Sequence, residues 1–328
     1  ADIPRITRLL AGSGAAVAAA GYHWNLPATE AAIAAGVHLT DLGGNNEVVD
    51  RQSALDGEAR ARGVTIIPNS GLAPGLINIL AVEGMRHFER VDSIRLRVGG
   101  LPLRPRPPLN YQLTFSAEGL INEYVEKAVV LRDGEIREVE SMTELEEIVF
   151  PPPFGTLEAF ATSGGLSALP RLLRTKVRDL DYKTIRYGGH CAKMRTLLEL
   201  GFASTEPLPG AAAPRTHREF FAEFLRRRLD FGGPDVVLLR AELRGVAGDL
   251  CRRLVYECVD YYDEATKLTA MMRTTAFPAS ITARMLARGE IAPRGVRMPE
   301  ECVPGGPLIR ELALRGIHIS DAMTDSGE

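Results

Sequence analysis

The sequence predicts an α/β fold: a parallel sheet built first, then a second α+β domain on a largely antiparallel sheet. Three observations carry that expectation. Two glycine-rich turns, Asp41-Leu42-Gly43-Gly44-Asn45 and Ser70-Gly71-Leu72-Ala73-Pro74-Gly75, lie about thirty residues apart. Each follows a short apolar run and leads into a helical one, the order of a sheet whose ligands gather at the carboxyl ends of its strands. Further along, Arg132-Asp133-Gly134-Glu135 separates two strand-like runs, and Asp-Gly is a strong hairpin signal.

Taken in order, Ile3 to Leu10 reads as a polar helix, Ala15 to Ala20 as a strand, and Pro27 to Ala35 as a helix closed by Gly36. Val37 to Thr40 is a strand, Asn46 to Arg62 a helix closed by Gly63, Val64 to Pro68 a strand, and Pro74 to Phe88 a helix. Glycine just past a helix end suits the left-handed cap. Strands and helices alternating over short connections imply right-handed crossovers and a parallel sheet. The rhythm then changes to longer strand candidates: Ser93 to Val98, Tyr111 to Phe115, Lys127 to Leu131, Glu135 to Val139 and Leu157 to Thr162. Lys183 to Tyr187, Val236 to Leu243 and Arg253 to Tyr262 complete them, with helices expected on one face. Ala265 to Arg288 returns to helical spacing, interrupted by Pro278, and is expected to dock back on the first domain. The domains are therefore expected to be 1–78 completed by 265–297, a substrate and dimerisation domain over 79–264, and a carboxyl-terminal segment over 298–328. Pro/Gly-rich loops are expected at Leu101 to Pro108 and Leu208 to Pro214.

Composition narrows the function classes. The 328 residues are 45% hydrophobic and 25% charged, the balance of a chain that buries a full core. A net charge of −3 argues against nucleic acid, which demands a basic footprint. No run reaches the ~18 apolar residues of a membrane span, so no membrane partner is expected. Cys191, Cys251, Cys258 and Cys302 are too sparse for a disulfide framework, and reduced thiols in a cytoplasm are the simplest account. No Cys/His spacing suits a metal, and none is expected. The chain opens on Ala1, with no signal-peptide pattern behind it.

Ala11-Gly12-Ser13-Gly14-Ala15-Ala16 superficially matches a G-x-G-x-x-G fingerprint. Here a helix precedes the glycines and a strand follows, the reverse of the order that places a pyrophosphate on a helix amino end, so it reads as a plain loop. Gly43 and Gly44 let backbone approach a ring or phosphate, with Asp41 and Asn45 offering an acceptor and an amide. Arg186, followed by His190 across Gly188-Gly189, puts a carboxylate-binding fork and a titrating group near one strand end.

Together these blocks resemble the saccharopine dehydrogenase family, most of all its L-lysine 6-dehydrogenase branch. The likeness rests on Thr40 to Asn45, Gly71 to Gly75, Gly99-Gly100-Leu101-Pro102, Ser116 to Leu120, Leu157 to Gly165, Arg186 to His190 and Arg273 to Ser280. The resemblance implies a Rossmann-like sheet, NAD or NADP as cofactor, and an oxidoreductase acting on a C–N bond of a small amino-acid substrate. It places Arg186 on the substrate carboxylate, with Phe115, Ser116, Gly100 and Tyr111 lining the substrate pocket. Gly71, Leu72, Ala73, Pro74 and Gly75 would sit by the nicotinamide; Gly43, Gly44, Asn45, Gly21, Tyr22 and Asn25 would flank the dinucleotide. Saccharopine reductases typically carry Asp in the turn that here holds Ala73, a point in favour of L-lysine. The expected reaction is oxidative deamination of the lysine ε-amine, with His190 first as general base and Asp41 and Lys127 behind it. Saccharopine or carboxynorspermidine dehydrogenase-like activity, or a non-catalytic relative, stay open as alternatives. Family members begin with a strand, G-x-G-x-x-G and helix, then a strand ending in an acidic ribose ligand. Neither stands in this chain, which is expected to be an amino-terminal truncation by roughly two βα units of ~30 residues each. A homodimer is expected.

Overall fold

The computed structural model describes residues 2–208 and 215–325, so most of the loop expected at 208–214 lies outside the described residues. Strands β1 (Ala15–Ala18), β2 (His38–Asp41) and β3 (Thr65–Ile67) come first. Then follow β4 (Arg90–Pro102), β5 (Ala128–Arg132), β6 (Glu135–Val139), β7 (Glu146–Phe150), β8 (Gly155–Ala161) and β9 (Val177–Arg186). The last are β10 (Asp235–Ala247), β11 (Leu250–Tyr261), β12 (Gly295–Val296) and β13 (Ser320–Asp325).

These strands build two sheets, as the α/β reading requires. The first is parallel, in the order β1-β2-β3-β12. Its central strands β2 and β3 lead into the two glycine turns. Helix Asn25–Ala35 stops at Gly36 in the left-handed conformation, and helix Ala270–Ala287 packs back on β1 and β2. A separate apolar cluster of Ala32, Leu39, Val64, Ile66 and Val296 holds this layer together.

The second sheet has nine strands in the path β13-β11-β10-β4-β9-β5-β6, with β8 joining β9 and β7 joining β8. All its pairings are antiparallel except β4 with β9. The Asp133-Gly134 turn closes the β5–β6 hairpin with both residues at positive φ. The largest core packs Leu76, Ile77 and Leu80 of helix Leu76–Met85 against Ile94, Leu96 and Leu243 of this sheet. It therefore bonds the two lobes through one continuous apolar layer.

Three local expectations are corrected, and two strands had not been expected. Tyr111 to Phe115 is not a strand: Tyr111 and Leu113 point into a cluster with Phe221 and Leu225, so burial fixes the segment without a ladder. The helix drawn over Asn46 to Arg62 is two, Asn46–Ser53 and Asp56–Ala61. The second is held by Asp56, whose carboxylate accepts from the Val296 backbone and Arg297 on the β12 side. Pro278 does not interrupt its helix, because the residue is buried and the flanking turns stay anchored by Ile281, Met285 and Leu286 in the core. β7 and β13 carry no run of β-branched residues strong enough to have announced them, and both are fixed by pairing with longer neighbours.

Candidate functional site

The turn after β2 is held from below by Asp41. Its buried carboxylate accepts from the Gly43 backbone at 2.7 Å, Gln52 at 2.7 Å, Asn25 at 3.2 Å and the Asn69 backbone at 3.3 Å. Burial pushes its pKa up against those hydrogen bonds. Gly43 sits at φ +73°, and a Cβ there would run into the Asn69 carboxamide, so the turn needs glycine. Asp41 thus shapes the turn, and with no exposed carboxylate oxygen it is corrected as a general base. Asn25 is corrected likewise: its amide donates to Asp41 and to the Gly43 carbonyl and does not reach the cleft.

The turn after β3 folds back on itself. Gly71 bridges to Gly75, Leu76 N–H donates to the Gly71 carbonyl, and Gly75 N–H donates to Asn78 Oδ1. Gly75 lies at φ +132° with its Cα hydrogen against Gly71, a position that tolerates no side chain. Gly71, Leu72, Ala73 and Pro74 face the cleft, whereas Gly75 lies beneath them.

The opposite wall comes from the second sheet and from helix Ala117–Val125. Arg186 ends β9, buried except towards the cleft. Its Nε donates to Tyr124 Oη at 2.9 Å, its Nη1 to the Ile185 carbonyl at 2.9 Å, and its Cζ lies 4.7 Å from the centre of the Tyr111 ring. The buried tyrosine hydroxyls and Glu123 hold the guanidinium charged against the cost of burial. Glu123 Oε2 lies 3.9 Å from Arg186 Nη2 with its side chain 27% exposed. Burial pushes the Glu123 carboxyl up to about 7, Arg186 pulling the other way.

One cavity of about 390 Å³ joins the two walls. Gly21, Tyr22, Gly43, Gly44 and Asn45 line it from the parallel sheet, and Gly100, Phe115, Ser116 and Arg186 from the other side. Tyr111 does not line it; it lies fully buried beneath the guanidinium, which corrects its place from pocket wall to support. His190 is corrected as general base. It is buried behind Tyr124, and burial together with Arg186 pushes its pKa down to about 3. Lys127 is corrected too: it points away from this cavity, 3.3 Å from Glu140 and 3.8 Å from Glu138.

Sequence reasoning missed Glu123, Glu126, Asn69 and Met271, which all line the cavity. The signal for the first two was present. Ser116, Gly119, Asn122, Glu123 and Glu126 recur at helical spacing, and Ser116 caps the helix by accepting from Gly119 N–H. Among the described residues, Arg186 is the only cation lining the cavity, against the two carboxylates Glu123 and Glu126. The floor made by the glycine turns has no charge. A flat aromatic ring fits such a floor, and a carboxylate fits the open guanidinium edge.

The family model described as saccharopine dehydrogenase C-terminal domain matches residues 71–317. Among curated proteins, the chain is 24% identical over 323 residues to the mitochondrial alpha-aminoadipic semialdehyde synthase of Mus musculus, covering 78% of this chain and 35% of that one. It is 25% identical over 167 residues to the saccharopine dehydrogenase (NADP(+), L-glutamate-forming) of Pyricularia oryzae, covering 47% and 36%. The chain thus spans about a third of the length of these relatives. In fold it is similar to saccharopine dehydrogenase (L-Glu forming) from Saccharomyces cerevisiae, with TM-score 0.79, 17% identity and coverage of 98% and 87%. It is also similar to the homospermidine synthase of Legionella pneumophila in complex with NAD, with TM-score 0.66, 13% identity and coverage of 98% and 78%. No helix of the described residues is long and apolar enough to cross a membrane.

Proposed function

The chain belongs to the saccharopine dehydrogenase family, and from that premise we propose that it serves an NAD(P)-dependent oxidoreductase acting on a C–N bond of an amino acid, with L-lysine as substrate. The observation that carries this reading is the single cavity in which the uncharged glycine turns face Arg186. Gly43, Gly44 and Gly71 to Pro74 would hold the nicotinamide end of NAD or NADP, with Gly21 and Tyr22 beside it. The nicotinamide supplies the hydride acceptor. The substrate carboxylate lies on the open edge of Arg186, where a charge-assisted pair fixes both position and direction. Glu123 takes the proton from the substrate ammonium so that its nitrogen lone pair is free when the carbon is oxidised. A carboxyl held near 7 suits that task, since a base works best with a pKa near the working pH. The resulting imine takes up water and releases ammonia, leaving the 6-semialdehyde.

The charge count of the cavity favours lysine over saccharopine. One guanidinium and two carboxylates match a ligand with one carboxylate and two basic nitrogens. A tricarboxylate would set three negative charges against a single cation. Saccharopine is the second reading, supported by the name of a relative, with a carboxylated polyamine beside it. The two separate in an initial-rate assay of dinucleotide reduction. L-lysine should support turnover with ammonia released in equal amount, and turnover with saccharopine alone would overturn the lysine reading while leaving the oxidoreductase standing.

A further inference from the structure

Arg186 enters the cavity from a chain of hydrogen bonds that runs back into the core. Its Nε–H donates to Tyr124 Oη, Tyr124 Oη lies 3.0 Å from His190 Nε2, and His190 Nδ1 lies 3.0 Å from the Leu109 carbonyl. A carbonyl only accepts, so Nδ1 carries the imidazole proton and Nε2 is left as the acceptor. The Tyr124 hydroxyl hydrogen goes to Nε2, which turns an oxygen lone pair towards Arg186. Every proton of the relay is assigned, and only the guanidinium bears charge.

The rings pack to keep that order. Tyr111 lies edge-on to His190 with ring centres 5.2 Å apart, and Phe160 lies parallel to it at 6.4 Å and 9°. With Nε and one Nη1 hydrogen engaged and Tyr111 under the plane, Arg186 lines the cavity with its remaining N–H groups, of which Nη2 lies 3.9 Å from Glu123. A long arginine side chain gives up much rotamer freedom when it binds a ligand, and a guanidinium already locked has made that loss in folding.

We propose that Tyr124 and His190 are positioning residues: a neutral relay that fixes the plane of Arg186 and so sets the affinity for the amino-acid carboxylate without touching the substrate. This rests on Arg186 being the carboxylate anchor. The test is steady-state kinetics with L-lysine, beside binding of 1,5-diaminopentane, which has the same two amines and no carboxylate. Tyr124→Phe should raise KM for lysine about tenfold, the scale of one hydrogen bond to a charged group, with kcat nearly unchanged. Binding of the diamine and KM for the dinucleotide should not move. His190→Phe should reproduce the defect, and His190→Gln, whose amide oxygen can accept from Tyr124, should restore most of it. Wild-type KM in Tyr124→Phe and His190→Phe, alongside a lost carboxylate preference in Arg186→Ala, would overturn the relay and keep the anchor. Wild-type KM in Arg186→Ala itself would remove the anchor. An equal loss of diamine binding in Tyr124→Phe would also overturn the relay, because it would report general damage to the pocket.

Discussion

The two walls of the cavity are made of different material. On the parallel-sheet side, Gly43, Gly44 and Gly71 to Pro74 present backbone and small side chains, with their one carboxylate, Asp41, turned inward to hold the loop. On the other side stand Arg186, Glu123 and Glu126, with aromatic rings and a neutral histidine behind them. The floor supplies shape and the wall supplies charge. Mutations on the two sides should therefore fail in different ways: floor changes should harm the dinucleotide, and wall changes the amino acid.

The largest effect belongs to the wall. Arg186→Ala removes a charge-assisted anchor, and kcat/KM for the amino acid should fall by about 10² to 10³, the scale of losing one partner of a close charge pair. Dinucleotide affinity, read by titration, should stay within about twofold on the same reasoning; a matching loss there would erase the distinction between the walls. Next comes Glu123→Gln, for which kcat should drop by about 10², the low end of general-base contributions. In the wild type kcat/KM should rise with pH up to about 7 as Glu123 deprotonates, then level off, and the variant should lose that limb.

Gly43→Ala probes the floor. A Cβ at φ +73° pressing on Asn69 should cost about 1 to 3 kcal/mol of stability in urea unfolding. It should weaken the dinucleotide more than the amino acid. A stability effect of similar size, with neither ligand affected, is expected at the joint between the walls, where buried Glu300 accepts from Ala168 N–H and Ser167 bonds Asn69. Burial holds the Glu300 carboxyl up at about 7, above its unfolded value, so the folded state keeps a proton that the unfolded state has lost. Stability should therefore fall as pH rises from the ordinary glutamate range to about 7, by on the order of 1 to 3 kcal/mol, and Glu300→Gln should flatten that slope.

The floor was legible in the sequence because its geometry is local. Asp41 to Asn45 and Gly71 to Gly75 need positive φ and close backbone contact within a few residues, and glycine records that need directly. The wall was legible only in part. Arg186 stood out as an arginine at a strand end beside two glycines. Its neighbours Tyr124 and His190 are 62 and 4 residues away, and the order in which they stack depends on β9 meeting helix Ala117–Val125. That is why His190 read as the base when it is a buried acceptor. Glu123 reads as an ordinary helix glutamate until Arg186 and the cavity are placed beside it. Pairing across the nine-stranded sheet, set by tertiary packing, decided β7, β13 and the loss of the strand expected at Tyr111 to Phe115.

A crystal structure with oxidised dinucleotide and L-lysine bound together tests the shared cavity most directly. The account predicts the nicotinamide against Gly71 to Pro74 and the lysine carboxylate within hydrogen-bond distance of Arg186 Nη2, with Glu123 beside an amine. A lysine carboxylate held elsewhere, with Arg186 facing only Glu123, would contradict it.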